Sequence, residues 1–146
     1  MARVVVSTIV ERSPAEVWDA VRDVTTHDRW MADAEAVRLT GERRAGIGTR
    51  FEADTKIGPI RLVDRMEITE WVEGTVMGVR HVGLVTGVGR FTLAPAPGGA
   101  TVFTWDERLR FPWWLGGRAG EIVGAPVLGA IWRRNLKRLK ELVEAG

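Results

Sequence analysis

Two periodicities divide the chain. From about Ala34 to Phe111, apolar and polar residues alternate over short runs, the period of half-buried strands. From Leu115 to Ala145 the apolar residues return at intervals of three and four, and Leu128, Trp132, Leu136, Leu139 and Val143 share one helical face. Glycine and proline cut the first stretch at Gly46-Ile47-Gly48, Gly58-Pro59, Glu73-Gly74, Gly83, Gly87 and Pro95 to Gly99. The pieces amount to about six strands joined by short connections, which antiparallel pairing permits and parallel crossovers do not. Pro126 lies inside the helical stretch and predicts a kink or a late helix start.

Upstream, the β-branched run Val4 to Val10 reads as a further strand. Ser13-Pro14-Ala15-Glu16 then starts a helix, with Ser13 as cap, Pro14 at the first helical position and Glu16 closing a capping box. Val17, Trp18, Ala20 and Val21 form its apolar stripe, and His27 to Met31 reads as a second short helix or turn. His27-Asp28, in a polar connection, is expected to face solvent. The order of strand, one or two short helices, six strands and long helix predicts an α+β fold. About seven antiparallel strands curve around the C-terminal helix, in one domain spanning residues 1–146.

Composition removes several functional classes. There is no cysteine, so disulfides, thiolate nucleophiles and cysteine metal sites are excluded, and two histidines cannot build a three-histidine site. No metal and no cofactor are expected. The sequence pI is about 9.6, yet the net charge at pH 7 is only +2. Of the 21 basic residues only Lys56, Lys137 and Lys140 are lysine, so the pI overstates the field. The densest basic cluster, Arg133, Arg134, Lys137, Arg138 and Lys140, sits late in a helix where cations complement the dipole. Nucleic acid is therefore not an expected partner. The longest weakly polar run, Ile122 to Trp132, is too short for the ~20 residues of a membrane-spanning helix. Without a secretory pattern after Met1, a cytoplasmic monomer or homodimer is expected. The excess of arginine over lysine, with abundant Ala, Gly and Val, is typical of a GC-rich bacterial genome.

Several motifs in order resemble the Bet v 1-like, START-related (SRPBCC) superfamily, also called helix-grip or polyketide cyclase/dehydrase-like proteins. They are Ser13-Pro14-Ala15-Glu16-Val17-Trp18 after the first strand, Trp30 at the end of the next short helix, and Gly46-Ile47-Gly48-Thr49 before a strand. Gly99-Ala100-Thr101-Val102-Phe103-Thr104-Trp105 in the last strand and Leu136-Lys137-Arg138-Leu139-Lys140 near the C-terminus complete the set. The resemblance spans essentially the whole chain. It implies a helix-grip fold enclosing an apolar cavity between sheet and long helix, which in similar proteins holds sterols, lipids, polyketides or hormones.

Strand parity then assigns the inner face. Phe103, Trp105, Glu107, Leu109 and Phe111 share one side of the last strand, and Ile60, Leu62, Asp64, Met66 and Ile68 share one side of an earlier strand. Met77, Val79 and His81, then Gly89, Phe91 and Leu93, follow by the same rule, and Leu128 and Trp132 face them from the helix. With Phe51, the expected ligand contacts are Phe51, Leu62, Asp64, Met66, Met77, Val79, His81, Phe91, Phe103, Trp105, Glu107, Leu128 and Trp132. Asp64, His81 and Glu107 are the ionisable members, and thus the candidates for acid–base chemistry, for ligand orientation, or for rim ion pairs that hold strand register. A bulge in any strand would exchange its two sets. Among the tryptophans, Trp18 and Trp30 are expected to close one end, and Trp105 and Trp132 to face each other across the cavity. Trp113-Trp114 would form its lip, and Trp71 would lie on the outer face.

Three functions fit this outline. The first is binding of a small hydrophobic molecule, a lipid, polyketide or aromatic metabolite. Burying about 300 Å² of ligand at roughly 25 cal/mol/Å² supplies about 7–8 kcal/mol before ordering costs, enough for micromolar affinity. The second is a polyketide aromatase/cyclase or dehydratase using Asp64 or Glu107 with His81 as base and acid. The aromatic cyclases that the chain resembles imply an arginine and a tyrosine in the cavity; this chain has no tyrosine, and parity turns Arg61 and Arg65 outward. The third is a protein-interaction module that regulates a partner.

Overall fold

Ser13, three residues past the end of the first strand, starts the first helix. Its hydroxyl accepts from the Glu16 amide, and the Glu16 carboxylate accepts from the Ser13 amide, closing the capping box. A computed structural model describes residues 1–146. Its elements are β1 (Ala2–Val10), α1 (Pro14–Val21), a 3-10 turn (Val24–Arg29), β2 (Ala34–Leu39), β3 (Arg50–Ile57), β4 (Ile60–Val72), β5 (Val76–Val82), β6 (Thr86–Ala96), β7 (Ala100–Arg110) and α2 (Gly117–Ala145). The seven strands form one antiparallel sheet in the order β1-β7-β6-β5-β4-β3-β2. Strands β2 to β7 form a meander, and β1 is added beside β7, with Ala2 opposite Leu109 and Val10 opposite Thr101. The sheet curls into a half-barrel, and α2 lies along it. Leu128, Trp132, Leu136 and Leu139 of α2 are buried in a core shared with Val4 and Val6 of β1 and with Phe103 and Trp105 of β7.

Helix α2 begins two residues later than the periodicity indicates. A 3-10 turn at Trp113–Leu115 ends at Gly116, whose φ of 89° only glycine adopts without strain. From there the helix runs unbroken through Pro126 to Ala145, so the proline does not delay its start. Pro126 removes the bond to the Ile122 carbonyl four residues back, and Ile122 lies on the exposed face. The first third of α2 packs thinly. Gly124 stands where a Cβ would come 2.8 Å from the Phe111 ring, so the aromatic side chain fits only because this helical position is bare. Glu121, buried beneath the same turn, accepts from the Phe111 amide and from the Met1 amino group.

One register change corrects an expectation. Between Ile68 and Glu70 the pairing of β4 with β5 shifts, so that Trp71 stands opposite Met77 on the inner side. Trp71 is therefore not on the outer face. It packs edge-on against Trp18 with ring centroids 5.0 Å apart. The two indole N–H groups donate to the two oxygens of Glu73 at 2.9 Å each, and Arg22 donates to the same carboxylate at 2.8 Å. The Trp71 and Trp18 bonds hold the Glu73 carboxyl below its ordinary range, and the trio pins α1 to the β4–β5 turn.

Candidate functional site

Parity along β4, β5 and β7 brings three ionisable side chains to one point on the concave face. Met66 of β4 pairs with His81 of β5, His81 pairs with Gly87 of β6, and Gly89 of β6 pairs with Glu107 of β7. His81 Nδ1 lies 2.9 Å from Asp64 Oδ1 and 3.0 Å from Oδ2, and its Nε2 lies 2.8 Å from Glu107 Oε2. The second Glu107 oxygen accepts from Trp105 Nε1 at 3.1 Å. Burial alone would lower the His81 pKa, but the charge of Glu107 and the bonds to Asp64 and Glu107 outweigh it and raise it from 6.5 to about 10. At neutral pH His81 is thus an imidazolium with both N–H groups committed to carboxylates.

Gly89 makes this arrangement possible. A Cβ at that position would run into the Glu107 carboxylate. The Gly89→Ala variant is expected to push that carboxylate off His81 and bring the His81 pKa down from about 10 toward 6.5. An NMR titration of the imidazole checks this, and an unmoved titration would contradict it.

Around the cluster lies a cavity of about 410 Å³ between the sheet and α2; 21 of its 31 lining residues are hydrophobic. Phe51, Leu62, Asp64, Met66, Met77, Val79, His81, Phe91, Trp105, Glu107, Leu128 and Trp132 all line it. Phe103 does not. It points inward as parity requires but is fully buried beneath Trp30 and Phe91, with ring centroids 6.3 and 5.1 Å away, as part of the cavity's closed end. Trp105 and Trp132 do not face each other across open space. Their rings stack with centroids 4.6 Å apart and planes 15° from parallel, making one continuous wall. Trp113 and Trp114 stand 86% and 48% exposed outside the lining, and the neighbouring Phe111 and Leu115 line it instead. Arg61 and Arg65 do point outward, toward Glu35 and Glu52.

His27 corrects a second expectation, because it is buried rather than solvent-facing. Its Nε2–H donates to the Val21 carbonyl at 2.7 Å, capping the end of α1, and burial holds its pKa below the ordinary value, so the ring is neutral. It lines the cavity beside Phe91, 5.7 Å away between centroids. Asp33 is a further lining residue without periodic signal. It lies in the connection before β2, where Asn135 Nδ2 donates to it at 2.7 Å and Trp132 Nε1 at 3.2 Å. Ala53, Thr55 and Ile57 extend the parity of Phe51 along β3 and were accessible by the same rule. The mouth lies between Ile60 at the start of β4 and Val123 and Val127 of α2, the exposed apolar members of the lining.

The family described as polyketide cyclase / dehydrase and lipid transport matches residues 1–144. No curated protein matches the chain. Among solved structures, a protein from Thermus thermophilus is 18% identical with a TM-score of 0.78, covering 98% of this chain and 97% of that one. A conserved protein from Geobacillus kaustophilus is 16% identical with a TM-score of 0.78, over 97% and 94% of the two chains. A protein from Deinococcus radiodurans is 16% identical with a TM-score of 0.74, over 100% and 99%. At these identities the likeness is one of fold. No helix is long and apolar enough to cross a membrane.

Proposed function

The chain belongs to the polyketide cyclase / dehydrase and lipid transport family, and from that premise we propose that it binds one small, largely apolar molecule in the cavity between sheet and α2. The observation that carries this is the cavity itself, about 410 Å³ with mostly hydrophobic walls and a few convergent polar groups at one place. The charge state of the cluster favours binding over acid–base turnover. A catalytic acid or base works best with a pKa near the working pH, whereas His81 sits at about 10 with both ring nitrogens occupied.

Nile red, a neutral apolar dye, is expected to bind with a 1:1 stoichiometry and a micromolar dissociation constant, read from its fluorescence. Val79→Trp, which fills the cavity from β5, should weaken that binding at least ~10-fold, about 1.4 kcal/mol. Trp113→Ala should leave it unchanged, because Trp113 lies outside the lining. Undiminished binding to the Val79→Trp variant would place the dye on the surface and overturn the proposal. Native mass spectrometry of the purified protein would identify any retained molecule directly.

A further inference from the structure

We propose that the cavity is selective for ligands with a basic amine on an apolar body, seated with the ammonium against the Asp64 and Glu107 carboxylates, and that it turns away ligands ending in a carboxylate. This rests on the reading of the cavity as a binding site and adds the chemistry of the polar end.

Two inventories lead to it. The first is of charge. The ionisable side chains of the lining are His27, Asp33, Asp64, His81, Arg90 and Glu107. The Arg90 guanidinium donates to Glu70 at 2.9 Å, with both side chains more than two-fifths exposed, so it brings no charge inside. His27 is neutral. Three carboxylates therefore face one imidazolium, and the interior is negative even with His81 protonated. An entering ammonium moves that balance toward zero, and an entering carboxylate adds a charge of the same sign where solvent screening is weak.

The second inventory, of hydrogen-bond donors, is independent of charge. Apart from Arg90, whose guanidinium is held on the exposed side by Glu70, every side-chain donor of the lining already has an acceptor. His27 gives its N–H to Val21, His81 gives both of its own to Asp64 and Glu107, and Thr55 gives its hydroxyl to the Ala53 carbonyl. The indole N–H of Trp105 goes to Glu107, and that of Trp132 goes to Asp33. What remains toward the cavity is acceptor capacity, because each carboxylate oxygen has lone pairs beyond the bond it accepts. A ligand carboxylate or carbonyl would be buried without a donor, at the usual cost of an unsatisfied polar group. A ligand ammonium brings three donors to these acceptors.

The test uses three ligands of one shape, decylamine, decanol and decanoate, titrated calorimetrically into the full chain at pH 7 below their aggregation concentrations. Decylamine is expected to bind at least ~10-fold tighter than decanol, and decanol at least ~10-fold tighter than decanoate. The amine preference should survive 0.5 M salt, because the carboxylates are largely buried, at 8% side-chain exposure for Glu107 and 17% for Asp64. Glu107→Gln, which keeps the shape and removes the charge, should narrow the gap between amine and alcohol. If this variant does not fold, the order of the three ligands on the unaltered chain still decides. Decanol binding as tightly as decylamine, decanoate binding as tightly as decanol, or a preference abolished by salt would overturn the selectivity and leave the cavity reading intact. Failure of all three ligands and of Nile red would overturn both.

Discussion

Replacing His81 by leucine is expected to lower the unfolding free energy by about 3–5 kcal/mol at pH 7, measured by urea denaturation. The leucine fills much the same space, so the loss is electrostatic. The imidazolium is the cation that both Asp64 and Glu107 contact, and its removal leaves two carboxylates facing each other inside the half-barrel. Replacing all three by apolar residues of similar volume should recover most of the loss, since a fully removed buried ion cluster costs far less than a broken one. The pH dependence has a defined sign. Folding raises the His81 pKa from 6.5 to about 10, so its contribution is complete below pH 6.5 and is lost as pH rises through about 10. The unaltered chain should therefore lose stability across that window, and the His81→Leu variant should lack this loss. A parallel decline in both would show that His81 is not its source.

The second large effect concerns the closed end of the cavity. Trp30→Ala is expected to cost about 3–5 kcal/mol, read from the same denaturation curves with the slope unchanged. Trp30 is wholly buried, and its ring meets those of His27, Phe91, Phe103 and Trp105 within 5.3 to 6.3 Å between centroids. No single neighbour can collapse into so large a vacancy while the sheet holds Phe91, Phe103 and Trp105 in register. Trp30→Phe should cost much less, below about 1.5 kcal/mol. The Trp30 indole nitrogen is buried without a hydrogen-bond partner, so phenylalanine removes an unsatisfied group along with the lost area. Equal losses for the two variants would mean that the indole N–H contributes more than its surroundings indicate.

The features legible in the sequence were those that follow from period. Parity in β4, β5 and β7 placed Asp64, His81 and Glu107 on one face, because none of the three strands is interrupted between the cluster and the residues used to set its phase. The same rule failed for Trp71, a few residues farther along β4, where the shift between Ile68 and Glu70 reverses the faces and no residue type marks the spot. His27 was misplaced because polar neighbours say nothing about a ring turned back to cap the preceding helix. Phe103 and the stacked Trp105–Trp132 pair show a further limit. Parity tells which way a side chain points, while the distance to whatever stands opposite is set by how far the sheet curls. Asp33, in a connection without periodicity, was reachable only through its partners Trp132 and Asn135 on α2.

The bare face of α2 beneath Phe111 bears on rates. Gly120, Gly124 and Pro126 are all poor helix formers, at about 1 kcal/mol for each glycine and about 3 for an interior proline relative to alanine. The apolar residues between them, Ile122 and Val123, are 76% and 71% exposed and so contribute little burial in return. This first third of the helix, which borders the mouth at Val123 and Val127, has the least to lose by fraying, while the remainder is anchored by Leu128, Trp132, Leu136 and Leu139. The glycine that lets Phe111 close against the helix also makes that closure easy to undo. For the ligand proposed above, affinity would be set by the deep wall and residence time by this turn.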